Sequence, residues 1–433
     1  MIYRLVEYLN SRPKAKYRIL VPPSYSFGNC CEEITLTSLY CAEKNKKLII
    51  IPPKIFQFFL KYKVANKHLL NNLIIQNKYN FTILNNNNKN PILFYLLSFL
   101  VNIEFLFRRS FALILKSLFN FKVKDINFFP YLGVPNYVNN FKEEISESDI
   151  KIYNFENLKI NLDLKKNEFC KRQLEKYGIN SKTKFVCLHV RDGTYKNDYQ
   201  RRPQRNSDIK NYYKLISYLI SKNYYVVRFG KDHKERIDIK NEKIIDYPFS
   251  NIKSDFMDLY LVENCDFFIG NLSGPLEAAR MLNKPCLALD VNLIFHSFPR
   301  HPLSRSVFRK ILRKKDNQIL SIKKFIDLDI KYHHWKYLDN SLELLQLNED
   351  ELLYEIKEYY DLIENSKMEL TQLQKDFNKS LLLSLIKKVN ILKKENFNKK
   401  NDADIIFYQE QIFNIKNSKG SYSNNCLKTL NFN

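Results

Sequence analysis

Between residues 184 and 291 the chain alternates short β-rich runs with helix-forming stretches, and no other feature narrows the possible folds as much. The runs are KFVCLHV, YYVVRFG, KIIDYP, DFFIG and PCLALD. The stretches between them include SDIKNYYKLISYLISKN, SDFMDLYLVENC and PLEAARMLN. Strands separated by helices of this length form a parallel sheet with helical crossovers. The first helix starts near Ser207 or Asp208 and carries Leu215, Ile216, Leu219 and Ile220 as one apolar stripe; Ser254 is the expected N-cap of the next. Residues 171–330 therefore read as a Rossmann-like domain.

The rest of the chain fits around it. YRILVPP reads as a strand, SYSFGN as a turn, CEEITLTSLYCAEKNKK as a helix and LIIIPP as a second strand, the opening βαβ of another α/β domain over residues 1–170. Residues 60–165 form a helical, aromatic insertion with a surface loop at LNNNNKN, 84–90. A chain of 433 residues that is 45% hydrophobic exceeds one ordinary core. Beyond 330 the sequence turns charged and helical, and residues 331–433 are expected to pack back across the first domain. The fold class is α/β, with two Rossmann-like domains and C-terminal helices.

A net charge of +24 suits nucleic acid, an anionic membrane surface or an anionic small substrate. The eight cysteines include no CxxC pair, which points to reduced thiols rather than a disulfide framework or a zinc site. The N-terminus lacks an apolar core with a small-residue cleavage site, so no secretory signal is expected and the location reads as cytoplasmic. The uncharged part of PILFYLLSFLVNIEFLFRRSFALILKSLFNF, 91–121, ends at Glu104, short of the ~20 residues needed to span a bilayer. It reads as a buried helical hairpin, or as an interfacial helix whose Arg108, Arg109 and Lys116 meet lipid headgroups.

Ligands of open α/β sheets bind at the carboxyl ends of the strands. Here those ends offer His189, Arg191 and Asp192; Gly230 and Lys231; Asn271, Ser273 and Gly274; and Asp290 and Asn292. Cations, small residues and amides at four ends suggest a pocket for a phosphorylated ligand. In FIGNLSGPLEAAR, Pro275 suits the first turn of a helix, whose free amides and dipole then face an anion, and Glu277 could accept from ribose hydroxyls. The stretch lacks the GxGxxG fingerprint, which argues against a nicotinamide or flavin enzyme. Arg191 is suited to a diphosphate. His189 lies near the sugar or phosphate, or is a core histidine. Arg205, with Lys196, Arg201 and Arg202, is a solvated basic loop or a lid.

The run FVCLHVRDGTY…RNSDIKNYYKLISYLISKNYYVVRFG…IIDYPFSNIKSDFMDLYLVENCDFFIGNLSG resembles a family of bacterial GT-B-type glycosyltransferases of surface-polysaccharide clusters. Its H-x-R element is more distantly similar to fucosyltransferases that use GDP-fucose. The resemblance covers about 184–330, including KPCLALDVN and VFRKILRKKDNQILSIKKF, and departs from the family at Asn271 and Pro275. It implies two facing Rossmann-like domains, with a nucleotide-sugar donor on the second and a glycan or lipid-linked acceptor largely on the first. It also implies a leaving diphosphate managed by protein cations without a metal or cofactor, and inversion at the sugar. The strings Asp327/Asp329 and Asp402/Asp404 are read as chance DxD matches. The base that deprotonates the acceptor is Asp192, Glu32 or Glu33, the last two doubling as helix first-turn acids.

Other readings are a nucleotide-sugar epimerase of the same build, a basic nucleic-acid-binding protein and an inactive scaffold. Nucleic acid is not the expected partner, because no recognisable module accompanies the basic residues. For a membrane-associated transferase, we expect the protein to pellet with anionic vesicles, and polar replacement of Phe94, Leu97 and Phe105 to release it. Unfolding of that variant in place of release would mark 91–121 as core.

Overall fold

A computed structural model describes residues 17–20, 26–43, 47–50, 65–76, 159–162, 167–195, 203–292, 298–327, 341–394 and 418–432, with a few single positions besides. The chain divides into two units, Met1–Asn139 with Phe155–Leu164, and Asn140–Asn154 with Lys165–Asn433. In the first, β1 (Tyr17–Leu20) and β2 (Lys47–Ile50) pair in parallel and α1 (Phe27–Glu43) connects them, as the opening βαβ pattern requires. A single turn, α2 (Leu69–Asn72), leads into β3 (Leu73–Gln76), which pairs antiparallel with β4 (Lys159–Leu162). Segment 91–121, apart from Phe99 and Ile103, and the run at 84–90 lie outside the described residues. No described helix is long and apolar enough to cross a membrane.

The second unit opens with α3 (Asn167–Glu175) and is built on a seven-stranded, all-parallel sheet. Its strands are β5 (Phe185–His189), β6 (Tyr225–Arg228), β7 (Ile244–Asp246), β8 (Phe267–Gly270), β9 (Cys286–Val291), β10 (Arg305–Phe308) and β14 (Ser421–Tyr422). The spatial order is β14-β10-β9-β8-β5-β6-β7. The chain builds outward from β5 through β6 to β7, returns, and builds the other way from β8, so the order reverses between β5 and β8. This is the doubly wound, Rossmann-like arrangement, in which that reversal opens a crevice at the carboxyl edge. β5, β8, β9 and β10 are buried along their whole length, as strands covered on both faces are.

The crossovers follow the sequence pattern. Asp208 caps a 3₁₀ turn (Ile209–Tyr212) that runs into α4 (Tyr213–Ser221), whose Leu215, Ile216 and Leu219 are buried. Ser254 caps α5 (Asp255–Asn264) by accepting from the Met257 amide. Helix α6 (Gly274–Met281) follows β8, with Ser273 in the N-cap position and Pro275 in the first turn. All eight cysteines are buried free thiols.

Residues 331–433 fall in the second unit, and those described complete its sheet. After β10 come β11 (Lys310–Arg313), β12 (Gln318–Ile319), α7 (Ile322–Asp327) and β13 (Leu342–Leu345), with the three strands in an antiparallel sheet of order β12-β11-β13. Helix α8 (Glu349–Glu364), opened by an Asn348–Glu351 capping box, packs on α4, and its Tyr359 ring meets Phe267 of β8 at 5.5 Å. Helix α9 (Gln372–Lys394) and helix α10 (Asn424–Thr429) flank β14. The physical reason lies in β10. Buried on both faces, it would otherwise present an open edge of unpaired main-chain groups, and Ser421–Tyr422 cover it.

Glu355 of α8 is 5% exposed, in contact with Ser423 and near Glu351 and Glu358. Burial pushes its carboxyl from 4.5 up to about 8 despite the Ser423 hydrogen bond, and Glu358 and Glu351 add to the rise. An acid whose folded value is raised contributes no penalty below its unfolded value. Between pH 4.5 and 8 the unfolded chain gives up the proton and the folded chain keeps it, so stability falls across that window and then levels. We expect Glu355→Gln to be more stable than the parent above pH 8 by on the order of 1–3 kcal/mol. Urea melts at several pH values should show that gain vanish near pH 4.

Candidate functional site

The site lies where β5 and β8 deliver their carboxyl ends side by side. His189 and Gly270 are paired residues of the two strands, and a Cβ on Gly270 would stand 2.8 Å from the His189 carbonyl oxygen. The close approach of the two turns therefore requires glycine there. Past the strand ends the turns are laced together. The Arg191 amide donates to Asn271 Oδ1 at 2.8 Å, the Ser207 amide to the Arg191 carbonyl at 2.8 Å, and an Arg205 Nη2 to the Leu272 carbonyl at 2.6 Å. The Arg191 side chain, half-buried, donates to Asn206 Oδ1.

Asp290 anchors this lacing from below. The β9–β10 pairing steps from Ala288↔Ser306 to Val291↔Phe308, so β9 carries one extra residue, and Asp290 takes φ +53° within that irregularity. Such a bulge re-aims a side chain. The Asp290 carboxylate accepts from Ser207 Oγ (2.6 Å), Tyr212 Oη (3.1 Å) and the Leu347 amide (2.9 Å), and pairs with Arg309 Nε at 3.4 Å. Arg309 Nη2 donates in turn to the Asn206 carbonyl (2.7 Å) and Ser207 Oγ (2.9 Å). Asp290 is thus a structural hub and not the pocket residue its strand-end position suggested; Asn292 is also buried.

Several expected ligand residues are likewise committed to the protein. Asn271, 1% exposed, uses Oδ1 for Arg191 and Nδ2 for Ser207 Oγ, Tyr212 Oη and the Leu289 carbonyl, at 3.0–3.3 Å. These contacts hold the turn. Glu277 forms a buried two-oxygen pair with Arg280 at 2.8 and 3.0 Å. Ser273 donates to the Asn271 carbonyl. Lys231 pairs with Asp255 at 2.7 Å. Gly274 begins α6 at the same edge, where the helix dipole is positive.

The second surprise is an imidazole pair. His189 Nδ1 lies 2.9 Å from the Phe229 carbonyl, and His233 Nε2 lies 3.1 Å from the same oxygen. Their ring centroids are 5.7 Å apart. Gly230, at φ +141°, makes room: a Cβ there would stand 2.3 Å from His233 Nε2. Burial above all, with help from the neighbouring His233, drops His189 to about 3, so the ring is neutral, donates through Nδ1 and keeps Nε2 as an acceptor. His233 Nδ1 faces Asp192 Oδ2 at 3.2 Å. Nothing in the sequence pattern singled out His233; only its place three residues after Gly230 hints at it.

Asp192 is held as a carboxylate by its neighbours. Burial raises its carboxyl, but donors on His233, Lys234 and Thr194 outweigh that and hold it well below the usual carboxylate range. Glu33, the other catalytic candidate, is buried on α1 of the first unit. Lys196, Arg201, Arg202, Asp329, Asp402 and Asp404 lie outside the described residues, and Asp327 ends α7. A carboxyl that sequence reasoning missed is Asp258, in the first turn of α5. It is 5% exposed, bonded to Tyr247 Oη at 2.6 Å, and pushed by burial up to about 6, where it can exchange a proton near neutral pH.

If Asn271 holds the turn, Asn271→Ala leaves buried donors and acceptors unmatched. We expect it to cost about 2–4 kcal/mol in chemical denaturation without any ligand present; an unchanged midpoint would return Asn271 to ligand binding. Comparison of the chain with protein-family models, with curated proteins and with solved structures finds no match in any of the three.

Proposed function

We propose that the second unit binds the diphosphate of a nucleotide sugar at the β5/β8 crevice, and that the protein is a glycosyltransferase that moves the sugar to a hydroxyl of a glycan or lipid-linked acceptor. One observation carries this reading. Arg191 stands just past a fully buried strand, with its main chain held on one side by Asn271 and on the other by Ser207, and its guanidinium oriented by Asn206. A cation fixed this way before the ligand arrives needs little reorganisation as negative charge builds on a leaving diphosphate.

The surroundings suit the same chemistry. The first turn of α6 adds a positive dipole end, and Arg205 adds a second guanidinium between the two turns. Neutral His189, with Nε2 as acceptor, is fitted to orient a hydroxyl rather than to neutralise a phosphate. Its low basicity, like that of Asp192, leaves proton removal from the acceptor to another group.

A melting series with UDP, GDP, CMP and dTDP tests the proposal. A nucleotide at a hundred times its dissociation constant adds about 2.7 kcal/mol of stability. We expect one base to raise the midpoint and Arg191→Ala to abolish the rise. A flat response to all four would overturn the reading.

A further inference from the structure

Asn206 is 7% exposed, and its carboxamide is divided between two situations. Oδ1 accepts from the Arg191 guanidinium, whereas Nδ2 is buried and meets no hydrogen-bond acceptor among the described residues. The amide cannot be turned round to relieve this, because two donors would then face each other. Nor can the backbone carry it away. Arg309 holds the Asn206 carbonyl at 2.7 Å, the Asn206 amide donates to the Pro203 carbonyl at 3.0 Å, and the next residue's amide is on Arg191.

A buried donor left unmatched is costly, so a rigidly held one marks a place where an acceptor is missing. Two arginines among the other buried side-chain donors differ in kind. Arg228 and Arg280 each leave only Nε–H unmatched, on guanidinium groups that bond elsewhere through their Nη atoms. Asn206 presents a whole amino group. Two residues earlier, in the 3₁₀ turn Pro203–Arg205, the Gln204 Nε2 is buried and unmatched as well. Two amide donors, with Arg205 between them in the chain and Arg191 bonded to Asn206, call for an acceptor that is oxygen-rich and negative.

We propose that the Asn206 carboxamide is a ligand to a phosphate oxygen, presented together with Arg191, and that Gln204 completes the same anion subsite. The identification of the anion as a diphosphate rests on the nucleotide-sugar reading; the subsite itself needs only a phosphoryl group. Arg191 then does two things at once: it carries charge, and through Asn206 Oδ1 it fixes which face of the amide meets the ligand.

The test is calorimetric titration of inorganic pyrophosphate and, separately, of the four nucleoside phosphates into wild type, Asn206→Asp and Asn206→Ala. Asn206→Asp preserves the acceptor for Arg191, so its unliganded melting temperature should stay at or above that of wild type. The same change replaces the donor with a carboxylate, and we expect pyrophosphate affinity to fall at least roughly tenfold to hundredfold. Asn206→Ala should weaken binding in the same direction. Pyrophosphate binding that is lost in Asn206→Asp, with no nucleotide bound by wild type, would uphold the subsite and sink the nucleotide-sugar reading. Unchanged pyrophosphate affinity in a folded Asn206→Asp would overturn the subsite, even with nucleotide binding intact. Wild type that binds neither pyrophosphate nor any nucleotide would overturn both.

Discussion

Asp290 places a carboxylate where four separate parts of the second unit converge: the turn after β5 through Ser207 and Tyr212, the start of β11's neighbourhood through Arg309, the approach to α8 through Leu347, and β9 itself. A buried charge of this kind is tolerable only when every oxygen is engaged and a counter-charge is near. Both conditions hold here, and meeting them draws the loops of the carboxyl edge into one framework. The left-handed backbone at Asp290 is the local strain that allows it, and aspartate is among the few residues that accept that conformation readily.

The framework sorts the polar groups of the crevice. Those that hold its shape, Asn271, Ser207, Tyr212, Arg309 and Glu277 with Arg280, face one another across short bonds and have little capacity left for a ligand. Against that background, Arg191 and Asn206 are fixed in place by the framework while the Asn206 amino group points to no partner among the described residues. Rigidity of the surrounding network is what gives such a donor meaning, since on a loose loop it would turn to water. The imidazole pair on the Phe229 carbonyl works by the same logic: His189 is kept neutral by burial, and Gly230 leaves the space that both rings need.

Much of this unit was legible in the chain. The strands at 185–189, 225–228, 244–246, 267–270 and 286–291 and the caps at Asp208 and Ser254 follow from local chemistry, because β-rich runs, Ser and Asp caps and Pro at a helix start act within a few residues. The strand-end rule located His189, Arg191 and Gly230 correctly at the carboxyl edge. It did not tell ligand contacts from scaffold. Asn271, Glu277 and Asp290 have the residue types of a binding site, and in the fold they bond to Arg191, Arg280 and Arg309. Asn206 and His233 went unnoticed because an isolated amide or imidazole has no period or spacing that announces it.

The sequence by itself determined the local elements, the parallel α/β character of residues 184–291 and the edge at which chemistry collects, since periodicity and capping are short-range properties. Only the tertiary structure decided the strand order with its reversal between β5 and β8, the recruitment of Ser421–Tyr422 to the open side of β10, and the division of polar side chains into framework and free donors. Those outcomes depend on hydrogen bonds between residues as far apart as Asn206 and Arg309, or Ser306 and Ser423. Whether a buried polar group is satisfied is a property of its neighbours in space, which no reading along the chain supplies.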